Sequence, residues 1–243
     1  MKNDRPREHP RYDAAIFDLF GTLVNNFSAR LHNDVVIRMA AILGAQYDAF
    51  AVGWNETTWP QRVTGELPTV EANLVHVCRA LGLDVGVAQI TAAADTLLTF
   101  TRAALAPRRD AGDTLAALKA RGLTIGLVSD CGPAVPLLWP ETPFASLIDV
   151  PIFSCAVGLK KPDPRIYGLA CERLGVQAPR CLYVGDGSSQ ELSGAQRVGM
   201  RAVLVRCNYD DSYDVQRLEV MAWQGPAITT LGDVVSLVDD EDR

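Results

Sequence analysis

The sequence predicts an α/β protein with a doubly wound, mainly parallel sheet at its core. In the second half of the chain, short apolar runs of strand length alternate with amphipathic segments of helical period. Strands that alternate with helices at this spacing form right-handed βαβ units, which places helices on both faces of the sheet. With 48% hydrophobic residues among 243, the chain has enough apolar side chains to bury such a core.

The first strand is predicted within AAIFDLFGTLV, residues 14–24. Its apolar run ends at Phe17, and an acid, Asp18, follows directly. A Gly21-Thr22 pair then marks a turn. A carboxylate at this point lies on the rim of a sheet, where open α/β folds place their chemistry.

Residues 25–106 are predicted to form a helical domain inserted after the first strand. The stretch has no convincing strand, and apolar residues recur at helical spacing in three segments, 35–43, 70–81 and 92–105. Two polar segments between them, 54–60 and 64–68, are predicted to be loops. The α/β core would then comprise residues 13–24 and 107–243, after a polar N-terminal tail at 1–12.

Four further strands are predicted after residue 107, at 123–128, 148–154, 181–184 and 202–205. The second of these is weakened by Pro151, which cannot donate to a neighbouring strand. Helices ended by glycines are predicted between the strands, at 110–121, 166–174 and 191–198. Residues 207–243 are predicted to hold turns and a short helix around Val234.

Polar side chains follow the ends of several predicted strands. Asp18, Ser129 and Asp186 come at or directly after strand ends, and Lys161 follows in a loop after another. Because parallel strands end at the same edge of a sheet, these four residues are expected to form one site. Two carboxylates, a hydroxyl and a cation suit a divalent metal together with an anionic group such as phosphate.

The same residues suggest a mechanism of phosphoryl transfer. Asp18 and Asp186 are predicted to bind Mg²⁺ together with the backbone carbonyl near Phe20. The free oxygen of Asp18 would then attack phosphorus and form an aspartyl-phosphate, which water hydrolyses. Lys161 would neutralise negative charge, while Thr22 or Ser129 donates a hydrogen bond.

Composition and charge exclude several other classes. A net charge of −6 argues against a nucleic-acid surface, and no apolar run is long enough to cross a bilayer. The opening MKNDRPREHP is too polar for a secretory signal, and the six cysteines show no zinc-type spacing. We therefore predict a cytoplasmic protein with a small phosphorylated substrate and no nucleic-acid or membrane partner. The sequence leaves the oligomeric state open.

Two other α/β folds differ from the pattern of this chain. A dinucleotide-binding fold needs a GxGxxG turn after its first strand, which LFGTLV does not supply. A receiver-type phosphoacceptor domain gathers similar residues at strand ends, but it is much shorter and has no helical insertion after its first strand. Neither fold matches this chain.

Four motifs, in order, resemble those of the haloacid dehalogenase (HAD) superfamily. IFDLFGTLV resembles the motif that carries the nucleophile, and LVSD resembles the second motif, a strand ending in Ser or Thr. VGLKKPDPRIY resembles the third, whose lysine directly precedes Pro-Asp-Pro, which favours Lys161 over Lys160. YVGDGSSQELSGA resembles the fourth, which supplies metal-binding acids. The resemblance implies a Rossmann-like HAD core, and residues 25–106 resemble the family's C1-type cap, which selects the substrate.

The sequence departs from most HAD phosphatases at Phe20, where they have a second aspartate that acts as general acid and base. Three interpretations follow: a phosphatase whose leaving group needs little protonation or is protonated from the cap, a dehalogenase, or a HAD-fold protein with a binding role. Dehalogenases of the family work without metal and have a fourth motif resembling Ser-x-Asn-x-x-Asp. This chain has Asp186 followed by Glu191, the arrangement of metal-binding members, which favours the phosphatase.

Some residues near the motifs keep two interpretations. Glu191 either supports the metal site or is only a first-turn acid that the helix dipole favours. Asp130 either supports a loop or contacts substrate. His32 and His76, in the predicted cap, are candidates for a substitute acid. Trp54 and Trp59 are equally consistent with a wall of the substrate pocket and with the core of the cap.

Overall fold

A computed structural model describes residues 12–206 and 218–239. In these residues the core is a wholly parallel six-stranded sheet, whose strands are β1 (Ala14–Phe17), β2 (Thr124–Ser129), β3 (Val150–Phe153), β4 (Cys181–Gly185), β5 (Arg201–Val205) and β6 (Ala227–Ile228). Their order across the sheet is β3-β2-β1-β4-β5-β6. The predicted fold class is therefore confirmed, and β1, the strand before Asp18, lies between β2 and β4.

Five helices follow β1 before the next strand: α1 (Ala29–Leu43), α2 (Tyr47–Val52), α3 (Trp59–Val63), α4 (Val70–Ala80) and α5 (Val87–Ala104). Side-chain caps begin three of them: Ser28 accepts from the N–H of Leu31 at 3.1 Å, Gln46 from that of Ala49 at 2.9 Å and Thr69 from that of Ala72 at 3.0 Å. These helices bury a cluster of their own, which includes Met39, Trp54, Leu74 and Ile90. We refer to this helical unit as the cap.

The structure corrects two predictions about the cap. Residues 54–60 are not a loop: a π-helical turn at Gly53–Thr57 leads directly into α3. Pro60 lies in the first turn of α3, where a missing N–H breaks no helical hydrogen bond. The last cap helix begins at Val87 rather than near Ala92. With α2 and α3, the described cap has five α-helices instead of the three predicted.

The remaining helices are α6 (Ala111–Ala120), α7 (Ala134–Leu138), α8 (Ser154–Val157), α9 (Pro164–Leu174), α10 (Glu191–Arg197), α11 (Leu218–Ala222) and α12 (Asp233–Asp239). They cover both faces of the sheet. Successive side chains of β1 point to opposite faces, so neighbouring residues of this strand pack against different helices. Phe17 packs in the cluster that contains Leu115 of α6 and Val234 of α12. Ile16 packs in the opposite cluster, with Tyr167 of α9 and Leu192 of α10.

The two strands that the sequence predicts weakly or not at all, β3 and β6, lie at the edges of the sheet. Pro151 lies in β3, which pairs only with β2, and an edge strand tolerates a residue without an N–H. At the other edge, β6 was not predicted because two residues are too few to show an alternating pattern. The predicted helix around Val234 is present as α12.

The two segments that join cap and core lie side by side. Val24 forms an isolated antiparallel bridge with Pro107, and the N–H of Arg108 donates to the carbonyl of Leu23 at 2.9 Å. The domain boundaries at 24/25 and 106/107 remain predictions. Tyr12, assigned by the sequence to the polar tail, is buried in the core beside the sheet.

Parts of two predicted segments, residues 1–11 of the tail and 207–217 and 240–243 of the C-terminal region, lie outside the described residues. Within the described part, no single helix is long and apolar enough to span a membrane. One sharply bent pair, Ala29–Leu43 with Tyr47–Thr57, meets the criteria of length and composition.

Candidate active site

The predicted site residues meet at the carboxyl edge of the sheet. Asp18 directly follows β1, Ser129 is the last residue of β2, and Asp186 directly follows β4. Lys161 reaches them from the loop between α8 and α9. All four side chains are buried, with at most 3% of each residue exposed.

Lys161 links two carboxylates at the centre of the site. Its Nζ lies 2.6 Å from Oδ1 of Asp18 and 2.6 Å from Oε2 of Glu191. Although burial lowers the pKa of Lys161, the two carboxylates hold it well above its usual range, so the side chain is protonated. Lys160 is exposed, which agrees with the choice of Lys161.

The loop that carries Lys161 is held by Asp130. Oδ1 of Asp130 accepts a hydrogen bond from the backbone N–H of Lys161 at 3.0 Å. Asp130 also lines the cavity described below, so it supports the loop and is open to a ligand as well.

Glu191 is completely buried and belongs to the site itself. Its Oε1 accepts from the N–H of Gly187 at 2.9 Å, and its Oε2 accepts from Lys161 and, at 2.9 Å, from the hydroxyl of Tyr183. The sequence left its role open, because a first-turn acid is common on exposed helices. The signal that could have assigned it is the motif itself, in which the helix that begins at Glu191 starts a few residues after Asp186.

Three carboxylates, those of Asp18, Asp186 and Glu191, come close enough to share one metal ion. One oxygen from each lies within 4.8 Å of the others, and all three residues are buried. The pKa of Asp18 is raised to about 6, chiefly by burial, with Lys161 opposing the shift and Asp186 adding to it. Burial and the charge of Asp18 also raise the pKa of Glu191 well above its usual range. Oxygen-rich, anionic surroundings of this kind fit Mg²⁺.

Gly21 leaves room for Asp186. Its φ is +82°, in the left-handed region that favours glycine, and a Cβ built on it would lie 1.9 Å from Oδ2 of Asp186. The turn predicted at Gly21-Thr22 therefore brings backbone close to the acid cluster. The predicted contribution of the Phe20 backbone carbonyl to a metal stays a prediction.

The two hydroxyl groups differ in what they contact. Oγ1 of Thr22 points to Oδ2 of Asp18 at 3.4 Å, which is long for a hydrogen bond between oxygens. Oγ of Ser129 is buried without a hydrogen-bond partner among the described residues. Ser129 ends the strand next to β1 but is not among the residues that line the cavity described below, so its role as a donor to a ligand stays a prediction.

A cavity of about 460 Å³ extends from Asp18 and Lys161 into the cap. One wall is aromatic: Phe20 and Phe27 line the cavity with their rings edge-on at a centroid distance of 4.9 Å. Phe100, which is not a lining residue, contacts Phe27 edge-on at 5.0 Å. Trp54 and Trp59 also line the cavity. Trp54 is buried in the cap cluster as well, so it serves both of the roles that the sequence left open.

Of the two histidines considered as substitute acids, only His32 lines the cavity within the described residues. Burial, and then the charge of Arg62, lower the pKa of His32 to about 4. The imidazole is therefore neutral near pH 7 and a poor proton donor. His76 is exposed on α4.

The geometry can be compared with known proteins. A family model described as haloacid dehalogenase-like hydrolase matches residues 12–199. The chain belongs to this family. The predicted resemblance is thus confirmed, and the chain is a hydrolase of the HAD superfamily.

Relatives in this HAD family include dehalogenases and phosphatases. The (S)-2-haloacid dehalogenase 4A of Burkholderia cepacia is 29% identical over 210 residues, covering 79% of this chain and 82% of the relative. The phosphoglycolate phosphatase of Escherichia coli K12 is 34% identical over 112 residues, covering 45% of this chain and 44% of the relative. The structure of 2-haloacid dehalogenase from Pseudomonas syringae pv. tomato DC3000 matches with a TM-score of 0.68 at 20% identity, covering 94% of this chain and 98% of the other. The last likeness concerns the fold.

Proposed function

We propose that this HAD hydrolase is a Mg²⁺-dependent phosphohydrolase that acts on a small phosphorylated metabolite through an aspartyl-phosphate at Asp18. The observation that carries the proposal is the third buried carboxylate, Asp186, beside Asp18 and Glu191. Lys161 is bonded to Asp18 and Glu191 in this cluster. When all three acids are ionised, they and Lys161 together carry two negative charges.

Excess buried charge of this size is unfavourable unless protons or a cation neutralise it. A divalent cation matches the excess and the oxygen ligands together. Expulsion of a halide has no use for such an ion, whereas a carboxylate that approaches a phosphoryl group does. When bound, Mg²⁺ supplies the positive charge that reduces repulsion between the two anions.

The residues of the chain then have distinct tasks. Asp18 would attack phosphorus, so that the bond from its oxygen to phosphorus forms as the bond to the leaving oxygen breaks. Lys161 orients Asp18 and balances charge, and Ser129 would donate its unpaired hydroxyl to a phosphoryl oxygen. Water then cleaves the acyl phosphate, releases phosphate and restores Asp18.

Phe20 cannot protonate the leaving group. The side chain at this position has no proton to give, and the neutral His32 does not replace it. We therefore expect turnover to favour leaving groups that depart without protonation.

A metal-independent 2-haloacid dehalogenase is the second candidate. It is favoured by the (S)-2-haloacid dehalogenase relative, which matches over 82% of its length, and by the aromatic side chain at Phe20. A halide leaves without a proton, so this reaction also needs no acid at that position. Asp186 is the residue that argues against it. The cytoplasmic location and the absence of nucleic-acid and membrane partners remain predictions of the sequence.

The test is a pair of assays on the same preparation. Release of p-nitrophenol from p-nitrophenyl phosphate and release of chloride from 2-chloropropionate would be measured with Mg²⁺ and with excess EDTA. The proposal predicts phosphatase turnover that EDTA abolishes and that Lys161→Ala reduces strongly, while the exposed neighbour variant Lys160→Ala keeps it. Chloride release that is indifferent to EDTA, without phosphatase turnover, would establish the second candidate instead.

A further inference from the structure

Three polar atoms in the cap are buried without hydrogen-bond partners among the described residues. They are the donors Trp54 Nε1 and Arg62 Nε and the acceptor Asn73 Oδ1. All three residues line the cavity that leads to Asp18. Buried polar groups in folded proteins are nearly always paired, so unpaired ones in one cavity point to a ligand.

Arg62 is the strongest of the three observations. Its residue is 8% exposed, yet no carboxylate among the described residues lies within ion-pair distance of it. Nη2 donates to the carbonyl of Trp54 at 2.5 Å, and the guanidinium carbon lies 4.0 Å from the centre of the Trp54 ring. The guanidinium is thus held in place, but its charge is not neutralised. Burial lowers its pKa to about 9, which still leaves it charged near neutral pH.

Asn73 presents its oxygen in a fixed orientation. Nδ2 donates to the carbonyl of Leu67 at 3.1 Å and also to that of Thr69. Because both partners are acceptors, the amide cannot be turned round, and Oδ1 stays directed to a donor that the protein does not provide. A ligand hydroxyl is the neutral group that fits this acceptor.

We propose that Arg62 and Trp54 bind a second anionic group of the substrate, a carboxylate or another phosphoryl group, and that Asn73 accepts from a hydroxyl next to it. The anion receives the Nε–H of Arg62 and the indole N–H of Trp54, while the reacting phosphoryl group lies at the other end of the cavity. This assignment rests on the proposed function for the position of the reacting group. It narrows the substrate class to a phosphorylated hydroxy acid or a bisphosphate that carries a free hydroxyl.

Binding of matched ligands tests the subsite. Titration calorimetry would use the Asp18→Asn variant, which cannot turn over substrate, in the presence of Mg²⁺. The first pair of ligands is 3-phosphoglycerate and glycerol 3-phosphate, which differ in the carboxylate. A phosphate ester of 3-hydroxypropanoate removes the hydroxyl, and propane-1,3-diol bisphosphate replaces the carboxylate by a second phosphoryl group. We expect the second anion to tighten binding by about 10–100-fold, the range for a charge-assisted hydrogen bond.

Variants of the cap connect the effect to Arg62. Arg62→Met in the Asp18→Asn background should remove the preference, and Trp54→Phe, which deletes the indole donor while keeping an aromatic ring, should reduce it. Arg79→Met, at an exposed arginine of α4, is the matched control and should leave the preference intact. If Arg62→Met fails to fold, the subsite is still tested by comparing the ligand preference of the Asp18→Asn protein with that of the Asp18→Asn protein carrying Trp54→Phe.

A second measurement separates this proposal from the proposed function. Glycerate and glycerol, which have no phosphoryl group, would be titrated into the wild-type protein in EDTA and followed by thermal unfolding. Stabilisation by glycerate that Arg62→Met or Trp54→Phe weakens supports the subsite even if no phosphate ester is hydrolysed. Equal affinity for 3-phosphoglycerate and glycerol 3-phosphate, together with no effect of glycerate, would overturn the subsite and indicate that water alone satisfies these atoms.

Discussion

Burial of Asp18 predicts that this carboxyl contributes less to the stability of the metal-free protein as the pH rises. The pKa of Asp18 is raised from 3.8 to about 6, first by burial and then by Asp186, against the attraction of Lys161. Between these two values the folded protein holds a proton that the unfolded chain has released. The contribution of Asp18 to the free energy of unfolding therefore falls as pH rises from about 4 to 6, because the raised pKa belongs to the folded state.

The size of the effect follows from the shift. A shift of about two pKa units corresponds to about 3 kcal/mol at neutral pH. Other groups titrate in the same range. Burial lowers the pKa of His32 from 6.5 to about 4, so this group stabilises the protein as pH rises through the same window and opposes Asp18. A comparison with Asp18→Asn cancels the contribution of His32. It retains that of Glu191, whose pKa the charge of Asp18 also raises, so the difference reports the two coupled acids together.

The assay is urea unfolding of wild type and Asp18→Asn in EDTA at several pH values from about 4 to 7.5. We expect the stability of Asp18→Asn relative to wild type to rise by about 2–3 kcal/mol across this range. Mg²⁺ at neutral pH should then stabilise wild type more than the variant, since the ion takes the place of the proton. A stability difference that does not change with pH, or that changes in favour of wild type, would refute the reasoning about the buried charge.

Three further predictions follow from the site. Phe20→Asp supplies the missing acid, so it should raise turnover of alkyl phosphates by about 10²–10⁴-fold and flatten the dependence of rate on leaving-group pKa; an unchanged slope in a leaving-group series would show that another group already donates the proton. Asp186→Asn removes one charge from the metal cluster and should weaken Mg²⁺ binding, measured by calorimetry, while circular dichroism shows an unchanged fold; tight binding in the variant would exclude Asp186 as a ligand. Gly21→Ala places a methyl 1.9 Å from Oδ2 of Asp186 at a φ of +82°, and it should lower unfolding stability by about 1–3 kcal/mol as well as Mg²⁺ affinity. The matched control Gly44→Ala has φ +67° with no atom within 4 Å of the new methyl, and it should lower stability without affecting Mg²⁺.

The sheet could be predicted because its strands carry a strong local signal. β1, β2, β4 and β5 are apolar runs that stop at a polar residue or a glycine, and burial on both faces makes such runs continuous. β6 carries no such signal in two residues.

The cap was harder to predict. Its three longest helices have the apolar period of a half-buried helix, whereas the region of α2 and α3 is short and is interrupted by Gly53, a run of polar residues and Pro60. In that region contact with the rest of the cap, through residues such as Phe50 and Trp54, determines the helical structure.

The candidate site divides in the same way. Asp18, Ser129 and Asp186 could be placed together from sequence because parallel strands share one carboxyl edge. The contact between Glu191 and Lys161 depends on the path of the chain between β4 and α10, which no local sequence pattern predicts. The unpaired atoms of Trp54, Arg62 and Asn73 depend on the packing of the cap against the core, and the sequence does not show which side of each short helix faces the cavity.

The most direct test of the central claim is to trap the covalent intermediate on Asp18. The protein would be mixed with p-nitrophenyl phosphate and Mg²⁺, quenched in acid during turnover, digested and analysed by mass spectrometry for the peptide that carries Asp18. Our account predicts one added phosphoryl group on Asp18, which is absent in EDTA and absent in Asp18→Asn. Turnover of the phosphate ester without a phosphoryl adduct, or an ester of Asp18 formed from 2-chloropropionate in EDTA, would contradict it.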